Sequence, residues 1–325
     1  MSVQQGWRRL PGRLRAGVVL LGALAAVALC GPLLTRDPTT VLDPAAAALL
    51  PPGASRVLVT LTDGSTIVAD AARREQGEWR VTRLGAERTI PTDRVAQVAR
   101  HRFWLGSDSV GRDVLARLCA GGRVSLGVGT LALVVALLIG VATGLVSGWS
   151  GGVVDAVLMR VVDAALAVPT LFLLLFLAAI LRPSLTALIL VLGLSSWMGV
   201  ARLMRGQVLS LKERDFILAA RAIGASPARI AAFHLLPNAL TPIVQDAALR
   251  LGDLILVEAS LSFLGLGVQP PTASWGSMVA EGQEMLASAW WLTALPSVLV
   301  ALAVIGAGLV ADGIQELSRR EASAS

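Results

Sequence analysis

Four ionisable side chains in one apolar segment are the residues best placed to do chemistry in this chain. Asp246, Arg250 and Asp253 follow at i, i+4 and i+7, so a helix places them on one face, where their charges can neutralise one another. This spacing predicts a structural ion-pair ladder. Glu258 lies deeper in the segment, with Ser262 one turn later. Two interpretations stay open for Glu258 and Ser262: they line a solute path or a subunit interface, or the carboxyl group is hydrogen-bonded within a helix bundle.

Enzymatic chemistry has no support in the sequence. Cys30 and Cys119 lie in or near apolar segments without CxxC spacing, and the only histidines are His101 and His234. A glycine-rich loop followed by Lys-Ser/Thr is absent from the sequence, so the chain does not hydrolyse ATP by the P-loop route. We therefore expect no catalytic residue, no metal site and no cofactor bound by this chain.

The elements that must position these residues are long apolar helices. Hydrophobic residues make up 55% of the 325 residues and charged residues 15%, which is typical of an all-α polytopic membrane protein embedded in lipid. The apolar runs predict six spans, at residues 17–34, 123–147, 153–181, 184–203, 243–268 and 290–311. The net charge of +6 comes from scattered arginines without an aromatic-basic stripe, so no nucleic-acid partner is expected.

The distribution of charge predicts the topology. Residues 1–34 join a basic N-terminus to an apolar run, which is also the outline of a signal peptide. No good small-x-small cleavage site precedes Pro32, so we expect a retained first span with a cytoplasmic N-terminus. Six crossings then place the 204–242 loop and the 319–325 tail in the cytoplasm. Residues 202–229 carry six basic side chains against Glu213 and Asp215, as the positive-inside rule requires.

Residues 35–101 form an external loop, and residues 56–100 within it alternate like β-strands. Val57, Val59 and Leu61 lead into the Asp63-Gly64 hairpin signal, and residues 66–69 return. A second pair crosses Gly85, and a short last strand covers residues 95–98. Five such strands predict a small SH3-like barrel. This external β-domain follows the first helix, and its role is open: it docks a partner protein or acts as a solvated spacer.

A polar, basic stretch at residues 211–242 predicts a helix, a sharp turn and a second helix. Gly224 stops the first helical pattern, Ser226 and Pro227 supply an N-cap and a first helical position, and Pro237 ends the second helix. A helical elbow held outside the bilayer between two spans has a shape suited to docking in a groove on another protein. The simpler interpretation is a connector with a solvated charged face.

At these residues the chain resembles the permease subunits of bacterial ATP-binding-cassette importers. Ala219-Ala220, Gly224 and Leu236-Pro237 match the spacing of the family's "EAA" loop, which implies a coupling helix that contacts the ATPase subunit. The resemblance implies these ATPase-coupling residues: Ala219, Ala220, Arg221, Gly224, Ala225, Ser226, Pro227, His234, Leu236 and Pro237. Leu218 stands where the family has Glu, and His234 where an aliphatic residue is common.

A second stretch, WLGSDSVGRDVLAR, resembles the family's signature "GTDxxGRDxxSR". The stretches LKERDFILAARAIGAS and LVEASLSFLGLGVQPPTASWG resemble the dipeptide/oligopeptide/nickel branch, specifically its second permease subunit. Asp108, Gly111, Arg112 and Asp113 stand in the matching places, and the resemblance implies that they form part of an outer vestibule. Asp108 is expected to cap a helix that begins near Arg112, and Asp113 to pair with Arg117 at i, i+4. The simpler interpretation is a capped amphipathic helix lying on the membrane surface, and it is compatible with a place in the outer vestibule.

The resemblance covers residues 102–318 and the first span, and it implies the partners. These are a homologous second permease, two ATPase subunits that use ATP and Mg, and an external substrate-binding protein. A secondary transporter would show inverted repeats with broken helices, and an intramembrane enzyme would show a nucleophile-base pair or metal motif; the sequence has neither. The cargo stays open among dipeptides, oligopeptides, nickel chelates and other small solutes.

Overall fold

The computed structural model describes residues 10–35, 37–75, 77–180 and 184–324, and within them the chain is mainly helical. The helices are α1 Gly12–Leu34, α2 Pro44–Ala47, α3 Val114–Ser150, α4 Gly152–Leu166, α5 Thr170–Ile180, α6 Leu185–Leu211, α7 Asp215–Ala222, α8 Pro227–Ile230, α9 Leu236–Phe263, α10 Trp275–Gln283 and α11 Trp291–Ala324. They belong to two compact units, one of residues 10–24, 125–268 and 300–324 and one of residues 25–124 and 269–299.

Four helices in the described residues are long and apolar enough to cross a membrane: Gly12–Leu34, Val114–Ser150, Leu185–Leu211 and Trp291–Arg320. The predicted third span at 153–181 consists, up to residue 180, of two shorter helices, because Pro169 disfavours helical backbone at the residue before it. Residue 181 lies outside the described residues. Residues 243–263 of the predicted fifth span lie in α9, a 28-residue helix with Pro242 inside it, and residues 264–268 follow the end of the helix. Its charged residues (Asp246, Arg250, Asp253 and Glu258) lower its mean hydropathy.

Glycines on one face of α3 allow it to lie close to α6 in the first unit. A Cβ atom added to Gly140 would lie 2.5 Å from Val200 Cβ, and one added to Gly148 would lie 2.8 Å from Val208 Cβ. Glycine therefore lets the two backbones approach closely. Because these contacts follow the same order along both helices, α3 and α6 run parallel, and the chain between them must return.

The return is made by α4, which runs antiparallel to α6. Asp155 Oδ1 accepts a 2.6 Å hydrogen bond from Arg205 Nε, and further along α4 Asp163 pairs with Arg202 at 2.5 Å, so the contacts follow opposite orders. A small apolar cluster around Val162 packs between the two helices.

Helix α9 also runs opposite to α6. Ala239 and Ile243, near its start, share a buried cluster with residues near the end of α6, whereas Arg250 reaches back to the carbonyl of Ser196. The predicted ion-pair ladder is present only in part. Arg250 pairs with Asp246, whereas Asp253 is exposed and forms no ion pair with another described residue. The ladder prediction is therefore wrong for Asp253, because Arg250 turns toward Asp246 and the α6 backbone.

Contacts of α1 show the directions of two further helices. In the first unit, a Cβ atom on Gly17 would meet Val310 Cγ2 of α11 at 2.8 Å, and Leu14 packs beside Gly313, so α1 and α11 are antiparallel. In the second unit, Arg123 Nε of α3 donates to the Ala28 carbonyl at 2.8 Å, while Cys119 lies beside Gly31. Helices α1 and α3 are therefore antiparallel as well.

The β-region of the second unit contains six strands: β1 Ser55–Leu61, β2 Thr66–Ala69, β3 Ala71–Glu75, β4 Glu78–Arg83, β5 Ala86–Pro91 and β6 Val95–Arg102. They form two antiparallel three-stranded sheets, ordered β2-β1-β6 and β3-β4-β5. Both predicted hairpins are present, with Val59 opposite Ile67 and Trp79 opposite Ile90. The prediction missed β3, whose sequence AARRE is polar, and placed the end of β6 too early. A closed SH3-like barrel stays a prediction.

The β-region is attached firmly to the chain on either side of it. One face of the β2-β1-β6 sheet packs through Leu58 and Val68 on Leu42, Leu50 and Phe103, all buried. The Phe103 N–H donates to the Ala54 carbonyl at 2.8 Å, and the Gly53 N–H donates to the Phe103 carbonyl at 2.8 Å. The chain therefore enters and leaves the β-region at one hydrogen-bonded point.

Candidate functional site

The predicted elbow at residues 211–242 has a sharp turn between α7 and α8. Gly224 adopts a φ of +82°, which is the left-handed backbone that glycine tolerates best, so this prediction is confirmed. Ser226 Oγ accepts a 3.4 Å hydrogen bond from Arg229 N, and Pro227 follows at the first helical position. Local chemistry therefore fixes both sides of the turn.

The second helix of the elbow does not end at Pro237, which corrects the sequence prediction. After α8, residues Ala231–Leu235 form a π-helical segment that leads directly into α9. Pro237 occupies the first turn of α9, where a missing N–H costs least, and Asn238 Nδ2 donates to the His234 carbonyl at 2.7 Å. The elbow is therefore continuous with α9.

The inner face of the elbow is anchored to the helices around it. Ile217 and Ala220 of α7 and Ile230 of α8 are buried, and they share one apolar cluster with Met204 and Val208 of α6. The Arg221 guanidinium lies 4.6 Å from the ring centroid of Trp149 at the end of α3. Lys212 Nζ donates to the Gly148 carbonyl at 3.4 Å. The elbow is therefore in direct contact with α3, α6 and α9.

The outer face of the elbow is apolar and exposed. Phe216 is 41% exposed, Leu218 49%, Phe233 72% and Ile223 86%. A groove beside Phe233 is lined by Ala228, Arg229, Ala232, Phe233 and His234. Exposed apolar side chains concentrated on a short turn are typical of a surface that another protein covers.

Most of the predicted coupling residues lie at the surface of the elbow. The exposed ones are Ala219, Arg221, Gly224, Ser226, Pro227 and Pro237; Ala225, His234 and Leu236 are half-buried, and Ala220 is buried. The resemblance did not single out Ile223 or Phe233. Both could have been found from the sequence, because each is a large apolar residue in a polar, basic stretch. Leu218, noted only as a departure, adds to the exposed apolar surface.

The second predicted site, at residues 108–113, is a closed loop held by Asp108. Asp108 Oδ1 accepts hydrogen bonds from Val110 N at 3.0 Å and Arg112 N at 2.9 Å, and Oδ2 accepts one from Arg112 Nε at 2.6 Å. The helix begins at Val114, and Asp113 caps it by accepting from Leu115 N at 2.8 Å. The prediction that Asp108 caps a helix beginning near Arg112 is therefore wrong. The Asp108 carboxylate instead closes the turn that precedes the helix.

The predicted pair of Asp113 with Arg117 is also wrong. Arg117 Nη1 lies 2.7 Å from Asp108 Oδ2, and its two Nη atoms hold Glu281 of α10 at 2.6 and 2.8 Å. Asp113 instead lies 2.9 Å from His101 Nε2 at the end of β6. Gly111 has a φ of +82° and packs against Ala47. No local sequence pattern indicates Glu281, because it is 164 residues from Arg117.

Glu258 and Ser262 lie together at the end of α9. Ser262 Oγ donates to Glu258 Oε1 at 2.8 Å and accepts from Val268 N at 3.1 Å. Glu258 is fully buried and Ser262 is 3% exposed. Of the two interpretations left open by the sequence, this geometry favours a carboxyl group that is hydrogen-bonded within the helices and stabilises the turn after α9.

Comparison with known proteins gives consistent results. Residues 140–323 match the family model described as "Binding-protein-dependent transport system inner membrane component". Oligopeptide transport system permease protein OppC of Bacillus subtilis is 38% identical over 213 residues, which cover 66% of this chain and 70% of that protein. The probable D,D-dipeptide transport system permease protein DdpC of Escherichia coli is 39% identical over 214 residues, covering 66% and 72%.

Solved structures also resemble the chain. One of them is titled "Inward facing conformations of the MetNI methionine ABC transporter", and it aligns with a TM-score of 0.47 and 20% sequence identity. The alignment covers 61% of this chain and 96% of that one.

Proposed function

The chain belongs to the family of binding-protein-dependent transport system inner membrane components, and from that premise we propose a specific role for it. It acts as one permease of an ATP-binding-cassette importer in the bacterial inner membrane. A homologous second permease completes the path, and two separate ATPase subunits bind ATP and Mg and drive transport through the elbow. An external binding protein delivers the cargo.

One observation carries this proposal: the elbow is apolar on both sides. Its inner residues are packed into the cluster around Met204, while Ile223 and Phe233 remain 86% and 72% exposed. A solvated connector has no use for such side chains, because exposing them to water is unfavourable. A short helix with apolar anchors instead fits a groove on a partner. The basic residues nearby agree with a cytoplasmic position.

The packing directions support six crossings with both termini on the same side of the membrane, and we propose that this side is the cytoplasm. Helix α1 is antiparallel to α3 and to α11, α3 is parallel to α6, and α4 and α9 are antiparallel to α6. Because α3 and α6 are parallel, the chain between them must cross back to the side on which α3 began. The two shorter helices α4 and α5 make this crossing. The third crossing is therefore interrupted near Pro169, and the fifth crossing is α9 despite its charges.

The relatives indicate the class of cargo, and the proposed topology indicates which segments face the outside. The two named relatives are an oligopeptide and a probable D,D-dipeptide permease, so the proposed cargo is a peptide or a related small solute. The β-domain at residues 56–100 lies on the outer face as an insertion in the 35–101 loop. Its firm attachment through Phe103 supports a surface for the binding protein over a loose spacer. The Asp108 loop lies in the outer vestibule.

The experiment that tests coupling replaces Gly224 with valine. Valine at a φ of +82° is strained by roughly 1–3 kcal/mol and covers the docking side of the turn. Gly224→Val should abolish transport and release the ATPases while insertion stays normal. Gly206→Val is the matched control, because Gly206 is in the helical backbone of α6 with open space around it.

A second variant separates strain from docking. Phe233→Ser removes an exposed ring without changing the turn, so the protein should fold normally and lose at least tenfold in ATPase affinity, about 1.4 kcal/mol. Copurification of the ATPases from detergent measures the binding. If both variants transport and retain the ATPases like the unmodified protein, the elbow is a connector and the proposed function is wrong.

A further inference from the structure

Asp253 is an exposed carboxylate on a helix surrounded by membrane-spanning neighbours. Gly252, the residue beside it, packs against Val304 and Ala307 of α11, and Ile255 packs against Gly129 of α3. Both α3 and α11 have the length and composition of membrane spans. Asp253 is nevertheless exposed on the surface of the chain.

The depth of Asp253 follows from the contacts of α9. Arg250, one turn earlier, reaches the carbonyl of Ser196, which lies inside the apolar run of α6. A 28-residue helix is about 42 Å long, enough to cross the bilayer with residues to spare. Asp253 is therefore at a depth where an ionised side chain facing lipid is strongly disfavoured.

The surface around Asp253 differs from that of a lipid-facing helix. The exposed residues of α9 between 244 and 263 are Val244, Leu249, Asp253, Leu256, Ser260 and Phe263. Of these, Leu249, Asp253, Leu256 and Ser260 recur at helical spacing on one face. On α3, by contrast, the exposed residues between 131 and 146 are all apolar: Leu131, Val134, Leu138, Ala142 and Val146. Mixed polar and apolar side chains along one face are typical of a helix that borders water on that side.

We propose that Asp253 lines the water-filled translocation path and binds the ammonium group of a passing solute. This rests on the proposed function and assigns the path to the exposed face of α9. The carboxylate has no ion-pair partner among the described residues, so its charge is available to a cation. Glu258 does not serve this purpose, because it is fully buried within the chain.

The first test measures water access at position 253. In the complete transporter, with Cys30 and Cys119 replaced by alanine, Asp253→Cys should react with a membrane-impermeant, cationic methanethiosulfonate in at least one state of the ATP cycle. Leu138→Cys is the control, because Leu138 is 68% exposed and lies on the apolar face of α3. This variant should react only with a lipid-soluble maleimide. Labelling of position 253 by the maleimide alone overturns the proposal. Protection in every state, with crosslinking to the second permease, also overturns it.

The second test measures the charge. Leu256→Cys lies one turn from Asp253, about 6 Å away. A cationic and an anionic methanethiosulfonate differ by two unit charges, so one carboxylate at that distance should change the ratio of their rates about tenfold in water. Asp253→Asn should remove this preference; an unchanged ratio means that Asp253 does not face the path. If the ratio is unchanged but ATP-driven transport is normal, the proposal for Asp253 fails and the proposed importer function stands. The importer function is tested separately by the Gly224 and Phe233 variants.

Discussion

Arg117 provides a quantitative test of how the Asp108 loop is held. Its side chain is 3% exposed and makes three hydrogen bonds to carboxylates, one to Asp108 and two to Glu281. Replacement by methionine keeps the volume and removes the charge. Loss of one partner of a buried ion pair typically costs 3–5 kcal/mol. Arg112 still contacts both carboxylates in the variant, so we expect the lower end, about 3 kcal/mol.

An exposed ion pair in the same chain supplies the control. Arg202 and Asp163 lie 2.5 Å apart but are 53% and 54% exposed, so Arg202→Met should cost about 1 kcal/mol or less. Reversible unfolding by SDS in mixed micelles, followed by circular dichroism, measures both variants on the purified chain. Equal costs for the two variants would refute the reasoning, because burial would then make no difference to the value of the pair.

Three further predictions concern packing, topology and the β-domain. Gly144→Val should prevent folding, because its side chain would enter the backbone of α6, whereas Gly127→Val, which has open space, should fold; yields of monodisperse protein decide this. An impermeant thiol reagent should label Asp63→Cys in intact spheroplasts and Ser226→Cys only after permeabilisation, and the reverse pattern would invert the topology. Removal of residues 56–100 should leave the ATPases bound and raise the binding-protein concentration needed for half-maximal transport; unchanged transport would instead favour the spacer.

Local signals predicted local structure well in this chain. The positive φ of Gly224, the cap at Ser226 and the hairpin at Asp63-Gly64 depend on neighbouring residues, and each is present. The close contact at Gly140 was also predictable, because a repeat of glycine every four residues has one main structural use in a span.

Errors arose where a distant partner decides the geometry. The contact between Arg117 and Glu281 joins residues far apart in sequence, so i, i+4 spacing suggested Asp113 instead. Asp253 was assigned to a ladder by spacing alone, although Arg250 turns toward Ser196 on another helix. The helix continues through Pro237 because a π-helical segment precedes it, which no propensity rule indicates.

The paired backbone of Ala54 and Phe103 has a consequence for how this transporter can change over generations. A segment whose two ends are already hydrogen-bonded neighbours can be lost, gained or exchanged in one genetic event without altering the distance that the rest of the chain must bridge. The same junction is a suitable insertion site for protein engineering, because a fluorescent or affinity domain with equally close ends can replace the strands. Reporters placed there would leave the helices and the elbow unmodified.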